Sequence, residues 1–76
     1  MNRQRRVAIK KLQDRLEEIK QDLEILQEEE QEYIDGIPEN LQTGERYDRA
    51  EEIMDAIDTA MESLEEAMDN LESATE

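Results

Sequence analysis

Asp35-Gly36-Ile37-Pro38-Glu39-Asn40-Leu41-Gln42-Thr43-Gly44 is the stretch on which the fold depends. Pro38 has no backbone N–H and its ring collides with a preceding helical turn, so a helix cannot run through it. Gly36, two residues earlier, can take the left-handed conformation that closes a helix C-terminus. On the far side, Thr43 offers a hydroxyl N-cap and Glu45 suits the positive end of a helix dipole. The chain must therefore stop one helix and start another here.

Working outward, both flanks carry heptad seams. Upstream the large apolar residues fall at Ile9, Leu12, Leu16, Ile19, Leu23 and Leu26, and at Tyr33 after Glu30 interrupts. Downstream they fall at Tyr47, Ala50, Met54, Ile57, Met61, Leu64, Met68 and Leu71. Spacings alternating three and four place each set on one helical stripe, at positions a and d. The spacing predicts helix one over about 3–34, a turn over about 35–43 and helix two over about 44–74, each helix roughly 45 Å long at 1.5 Å per residue. Residues 1–76 thus read as one domain, all-α, an antiparallel two-helix coiled-coil hairpin.

The two seams share a register. Ile9 falls against Leu71, Leu16 against Leu64, Leu23 against Ile57, and Tyr33 against Tyr47 beside a turn capped by Ile34, Ile37 and Leu41. At the flanking e positions this register pairs Arg6 with Glu72, Gln13 with Glu65, Lys20 with Asp58 and Gln27 with Glu51. Helix two has a further apolar column, Ile53, Ala60, Ala67 and Ala74, repeating at position g. A two-helix hairpin buries one stripe per helix, so this lane implies a second helical surface. The expectation is a homodimer forming a four-helix bundle, with those four residues as the dimer interface. The alternatives are that Arg15 and neighbouring stems cover the alanines, or that a heterologous partner does.

Composition narrows function by exclusion. There is no cysteine and no histidine, which removes disulfides, thiolate zinc sites, imidazole bases and the Glu-x-x-His ligands of di-iron bundles. Glu30 is the one acid in either seam, placed opposite Ala50 near the turn, where its side chain reaches water. Asp35-Gly36 and Glu39-Asn40 lack the ligand spacing of a calcium loop. No Gly-rich phosphate loop or nucleophile elbow occurs, and Ser63 and Ser73 have no base. We expect no catalytic residues, no cofactor and no metal. The longest apolar run, Val7-Ala8-Ile9, is too short for a membrane span, so the expected location is cytoplasmic without membrane association.

Charge is the informative property. The net charge of −14 divides into +5 over residues 1–15 and −19 over residues 16–76. On helix two, position b reads Asp48, Asp55, Glu62, Asp69 and Glu76, and position e reads Glu51, Asp58, Glu65 and Glu72; Glu66 lies at f. Neither the b nor the e column contains a lysine. Like charges three or four residues apart cost a few tenths of a kcal/mol, and here the cost recurs. Such a field repels nucleic acid and anionic lipid, so direct nucleic-acid binding is not expected, and it attracts basic surfaces. Its carboxylates lie ~5–6 Å apart, a spacing able to imitate a phosphate backbone. Asp35 and Glu39 project from the turn as a second candidate contact. The basic N-terminal segment is read as neutralising the acids of 62–76, with an independent docking site as the other possibility.

The opening Met1-Asn2-Arg3-Gln4-Arg5-Arg6, the run Glu28-Glu29-Glu30-Gln31-Glu32-Tyr33 entering the turn, and Pro38-Glu39-Asn40-Leu41-Gln42 followed by Glu45-Arg46-Tyr47 resemble small acidic coiled-coil proteins encoded by phages and mobile elements of Gram-positive bacteria. The resemblance implies a setting in a bacterial host, where small acidic proteins of this kind include anti-CRISPR and other anti-defence inhibitors. The expected function is a non-enzymatic inhibitor whose Asp48, Asp55, Glu62, Glu66, Asp69, Asp35 and Glu39 meet a basic, nucleic-acid-binding surface of a host defence protein. The alternative is a structural or adaptor coiled-coil dimerisation module whose acids confer solubility. A helical chaperone for a basic client is a third reading.

Overall fold

The computed structural model describes residues 2–76. Helix α1 runs Arg3–Asp35 and helix α2 runs Glu45–Thr75, joined by a single 3-10 turn at Glu39–Leu41. The two helices pack antiparallel into a rod of 59 × 15 × 13 Å. This is the all-helical hairpin that the two seams and the broken turn imply.

Both helices consist largely of strong helix formers, and each end has an identifiable cause. Asn2 is the N-cap of α1, its Oδ1 accepting from the Arg5 N–H at 2.8 Å. At the other end the chain differs from expectation. Gly36 is right-handed, with φ −80, and no described residue has positive φ. Its N–H still reaches the Glu32 carbonyl at 3.0 Å, so α1 closes as an ordinary helical turn and Pro38 alone diverts the chain. A Cβ at Gly36 would stand 3.4 Å from its nearest neighbour, an ordinary distance. Gly36→Ala is therefore expected to stabilise the hairpin by about 0.4–1 kcal/mol through the unfolded chain, read as a higher melting temperature by circular dichroism; a loss of stability would show that this turn needs glycine. The N-cap of α2 is Gly44 rather than Thr43, and no side chain caps it.

The seam of α2 lies where the heptads place it: Tyr47, Met54, Ile57, Met61, Leu64, Met68 and Leu71 are half-buried and Ala50 is 2% exposed. The seam of α1 is rotated. Its a column, Ile9, Leu16, Leu23 and Glu30, faces inward, but the inward partner column is e, with Gln13 buried and Lys20, Gln27 and Ile34 half-buried. The d column that should have been buried is not: Leu12, Ile19, Leu26 and Tyr33 are 46%, 47%, 51% and 50% exposed. The cause is visible along the e edge. Gln13 donates to Glu72 at 3.3 Å, Lys20 meets Glu65 at 3.4 Å, and Gln27 donates to Asp58. Long amphipathic stems with polar heads fill this edge and turn the d column away.

Those three pairs also correct the register at the e edge. Each acid partner lies one heptad further along α2 than the sequence pattern suggested. Arg6 consequently sits a heptad beyond Glu72, and the pair between them does not form. The expected tyrosine layer is absent as well. Tyr33 lines a cleft with Arg46, Ala50 and Ile53, whereas Tyr47 lines a separate one with Ile34, Glu51 and Met54. Ile37 is half-buried at the turn, but Leu41 is 56% exposed and caps nothing.

Candidate functional site

The heptad positions and the rotation of α1 give the hairpin two unlike faces. On one, the bridged e edge is flanked by the b columns of both helices. Asp48, Asp55, Glu62 and Asp69 of α2 all stand exposed along this face. Asp69 borders a cleft with Lys10, Gln13, Glu17 and Glu72, and Asp55 borders one with Gln31, Tyr47, Glu51 and Asp58. Glu66 is exposed at the neighbouring f position. Asp35 and Glu39 lie at the turn, Asp35 accepting from Gln31 Nε2 at 2.9 Å and Glu39 opening the 3-10 turn. The ridge acids therefore form one strip along α2, and the two turn acids extend it at one end only.

Few of these charges are neutralised by neighbours. Among the described residues, ion pairs form at Lys20–Glu65 and Arg49–Glu52, and none of Arg3, Arg5, Arg6, Lys10, Lys11 or Arg15 pairs with a carboxylate. The neutralisation expected of the N-terminal segment thus does not occur through contact, because the corrected register gives Glu72 to Gln13. Helix ends add to the imbalance. The first turn of α1 holds no acid and its last turn no base, the reverse of what the helix dipole favours.

Two groups respond electrostatically to this surface. The hydrogen bond to Glu65, reinforced by its charge, raises Lys20 above its ordinary 10.5. The neighbouring Glu51 carboxylate, as a hydrogen-bond acceptor for the protonated phenol, then burial and the Glu51 charge, raise Tyr47 above its ordinary 10.0. Both folded values lie above the unfolded ones, so their contribution is complete at neutral pH and is lost as pH rises through the raised values. Helix content followed in titrations above pH 10 should fall. A variant carrying Lys20→Met and Tyr47→Phe should show a weaker alkaline loss, and an identical loss would assign the effect elsewhere.

No protein-family model matches the chain, and no curated protein or solved structure matches it. Among the described residues no group of three or more potential metal ligands converges, and no helix is long and apolar enough to cross a membrane. What the geometry offers is a strip of exposed carboxylates along α2. The sequence pattern identified its acids and set Gln13 and Gln27 against acids of α2, though one heptad from their partners Glu72 and Asp58; it missed Asn2 as a cap, whose signal is the Asn preceding a helical run.

Proposed function

We propose that the chain is a non-enzymatic, acidic inhibitor of phage or mobile-element origin that lays the α2 ridge on a basic, nucleic-acid-binding surface of a host defence protein, acting as an anti-CRISPR-like nucleic-acid mimic in the bacterial cytoplasm. The observation that carries this reading is the linear density of unpaired carboxylate. Residues 45–76 hold 12 acidic side chains, two of them in ion pairs. Along a helix about 46 Å long the ten outside ion pairs come to one charge per ~4.6 Å, against one phosphate per ~3.4 Å of a nucleic-acid strand. A channel of Lys and Arg built for a strand meets a comparable charge sequence on a rigid rod, and both release counterions on docking.

The test is capture from a bacterial lysate by the tagged chain, followed by affinity measurement across salt. Affinity should fall by at least about tenfold between 50 and 200 mM salt, as charge-dominated contacts do. Unchanged affinity across that range would exclude mimicry. A second reading, an adaptor or dimerisation coiled coil, is favoured by the exposed apolar columns of the opposite face. Under it, Ala60→Glu and Ala67→Glu abolish function while acid replacements do little.

A further inference from the structure

We propose that the face opposite the acidic ridge is the interface of a homodimer in which two hairpins stack head to tail, the turn of one over the open end of the other. It is independent of the ridge's partner. The rotation of α1 brings its outward d column onto the side of the hairpin that carries the g lane of α2, since the e columns of both helices meet on the other side. Tyr33 and Ile53 share one cleft there, and Leu12 and Ile19 share another with Leu71. Leu12, Ile19 and Leu26 thus run beside Ala74, Ala67 and Ala60, all exposed. Large residues in one row and small ones in the other form a continuous apolar strip, ended by Arg5 and Arg46 at the next heptad positions and bordered by Arg15.

Area leaves room for a cover. Ala50, at 2% exposure, is the one hydrophobic residue buried among the described residues. The chain exposes 6081 Å², whereas a compact monomer of its 9.0 kDa exposes about 4,900 Å². The excess, roughly 1,200 Å², goes with the rod shape of 59 × 15 × 13 Å, and it leaves room for the ~800 Å² per partner of a standard interface. The strip spans residues 12–33, about 32 Å of helix, which suits another hairpin of this length.

Charge selects a second copy and its direction. At the margins of the strip, Lys11 and Arg15 lie toward the open end, and Glu29 and Glu32 lie at the same heptad positions toward the turn. Residues 20–65, the turn half as divided at the Lys20–Glu65 pair, hold 16 acids and three bases; residues 1–19 and 66–76, the open half, hold seven acids and six bases. Stacking turn on turn sets −13 against −13. Head-to-tail stacking sets each −13 half against a half of −1 and places Arg15 near the second copy's Glu29. A two-fold axis passing near Asp22 satisfies this, with Leu12 over the second copy's Tyr33 and Ile19 over its Leu26. The one like-charge approach is Asp22 with its own copy at the axis.

Sedimentation equilibrium of the unmodified chain from low to high micromolar concentration is expected to give twice the chain mass, and Leu26→Glu to weaken the dimer by at least 100-fold. The chain has no cysteine, so single introduced cysteines report direction. Asp22→Cys should oxidise to a linked dimer, Arg15→Cys alone should not, and Arg15→Cys mixed with Glu29→Cys should link to each other. A monomer at every concentration would overturn the proposal and leave the strip to a heterologous helix. Linkage of Arg15→Cys to itself as readily as Asp22→Cys would overturn the head-to-tail arrangement.

Discussion

Replacing Asp55, Glu62, Glu66 and Asp69 with Asn, Gln, Gln and Asn will weaken capture of the basic partner by about 100-fold while making the hairpin itself more stable. The first effect follows from exposed charge pairs worth 0.2–1 kcal/mol each: four at about 0.7 sum to about 2.8 kcal/mol, two factors of ten in affinity. The second effect has the opposite sign because these same acids repel their neighbours. Glu62 has Glu65, Glu66 and Asp58 within one turn, and Asp69 has Glu65, Glu66 and Glu72. Relieving several like pairs at a few tenths of a kcal/mol each gives about 1 kcal/mol, or a melting temperature about 4–8 °C higher. Opposite shifts in binding and stability separate a functional charge from a structural one. A variant that melts higher and still captures the partner at full strength would assign those acids to solubility.

The second large effect concerns the fold. Ala50→Phe should lower the melting temperature by about 8–16 °C. Ala50 is 2% exposed and borders Glu30 and Tyr33 of α1, so its methyl is sheltered where the two helices pack. A ring inserted there drives them apart at a cost of about 2 kcal/mol, which the size of the domain converts to that temperature shift. Thr59→Phe, on the exposed side of α2, is the control and should leave the melting temperature nearly unchanged. Equal behaviour of the two variants would contradict the observed placement of α2 on α1.

The helices, their antiparallel order and the seam of α2 were legible in the sequence because each has a single cause: heptad spacing, Pro38, and no competing apolar column on the inner side. The rotation of α1 was not. Its apolar a and d columns make a stripe that hydrophobic periodicity assigns to one partner, whereas Gln13, Lys20 and Gln27 carry no apolar signal although their stems fill the seam. Periodicity sums the demands of every surface a helix will bury, and cannot say which neighbour takes which column. The g lane of α2, an apolar column beyond the one stripe a hairpin buries, was the one sign of this in the sequence. It pointed to a second surface, but only the rotated d column shows how broad that surface is. The ridge acids were legible for the opposite reason: exposed charge needs no packing geometry to be recognised. The missing N-terminal ion pairs were hidden, because they depend on register at the open end, which a heptad repeat leaves undetermined by whole turns of seven.

The most direct measurement is competition on the captured host protein: its affinity for nucleic acid, with and without one equivalent of this chain, at low and moderate salt. Mutually exclusive binding, with both affinities falling together as salt rises, is what a carboxylate ridge standing in for phosphate predicts. Simultaneous binding of nucleic acid and chain, or displacement that is indifferent to salt, would contradict it.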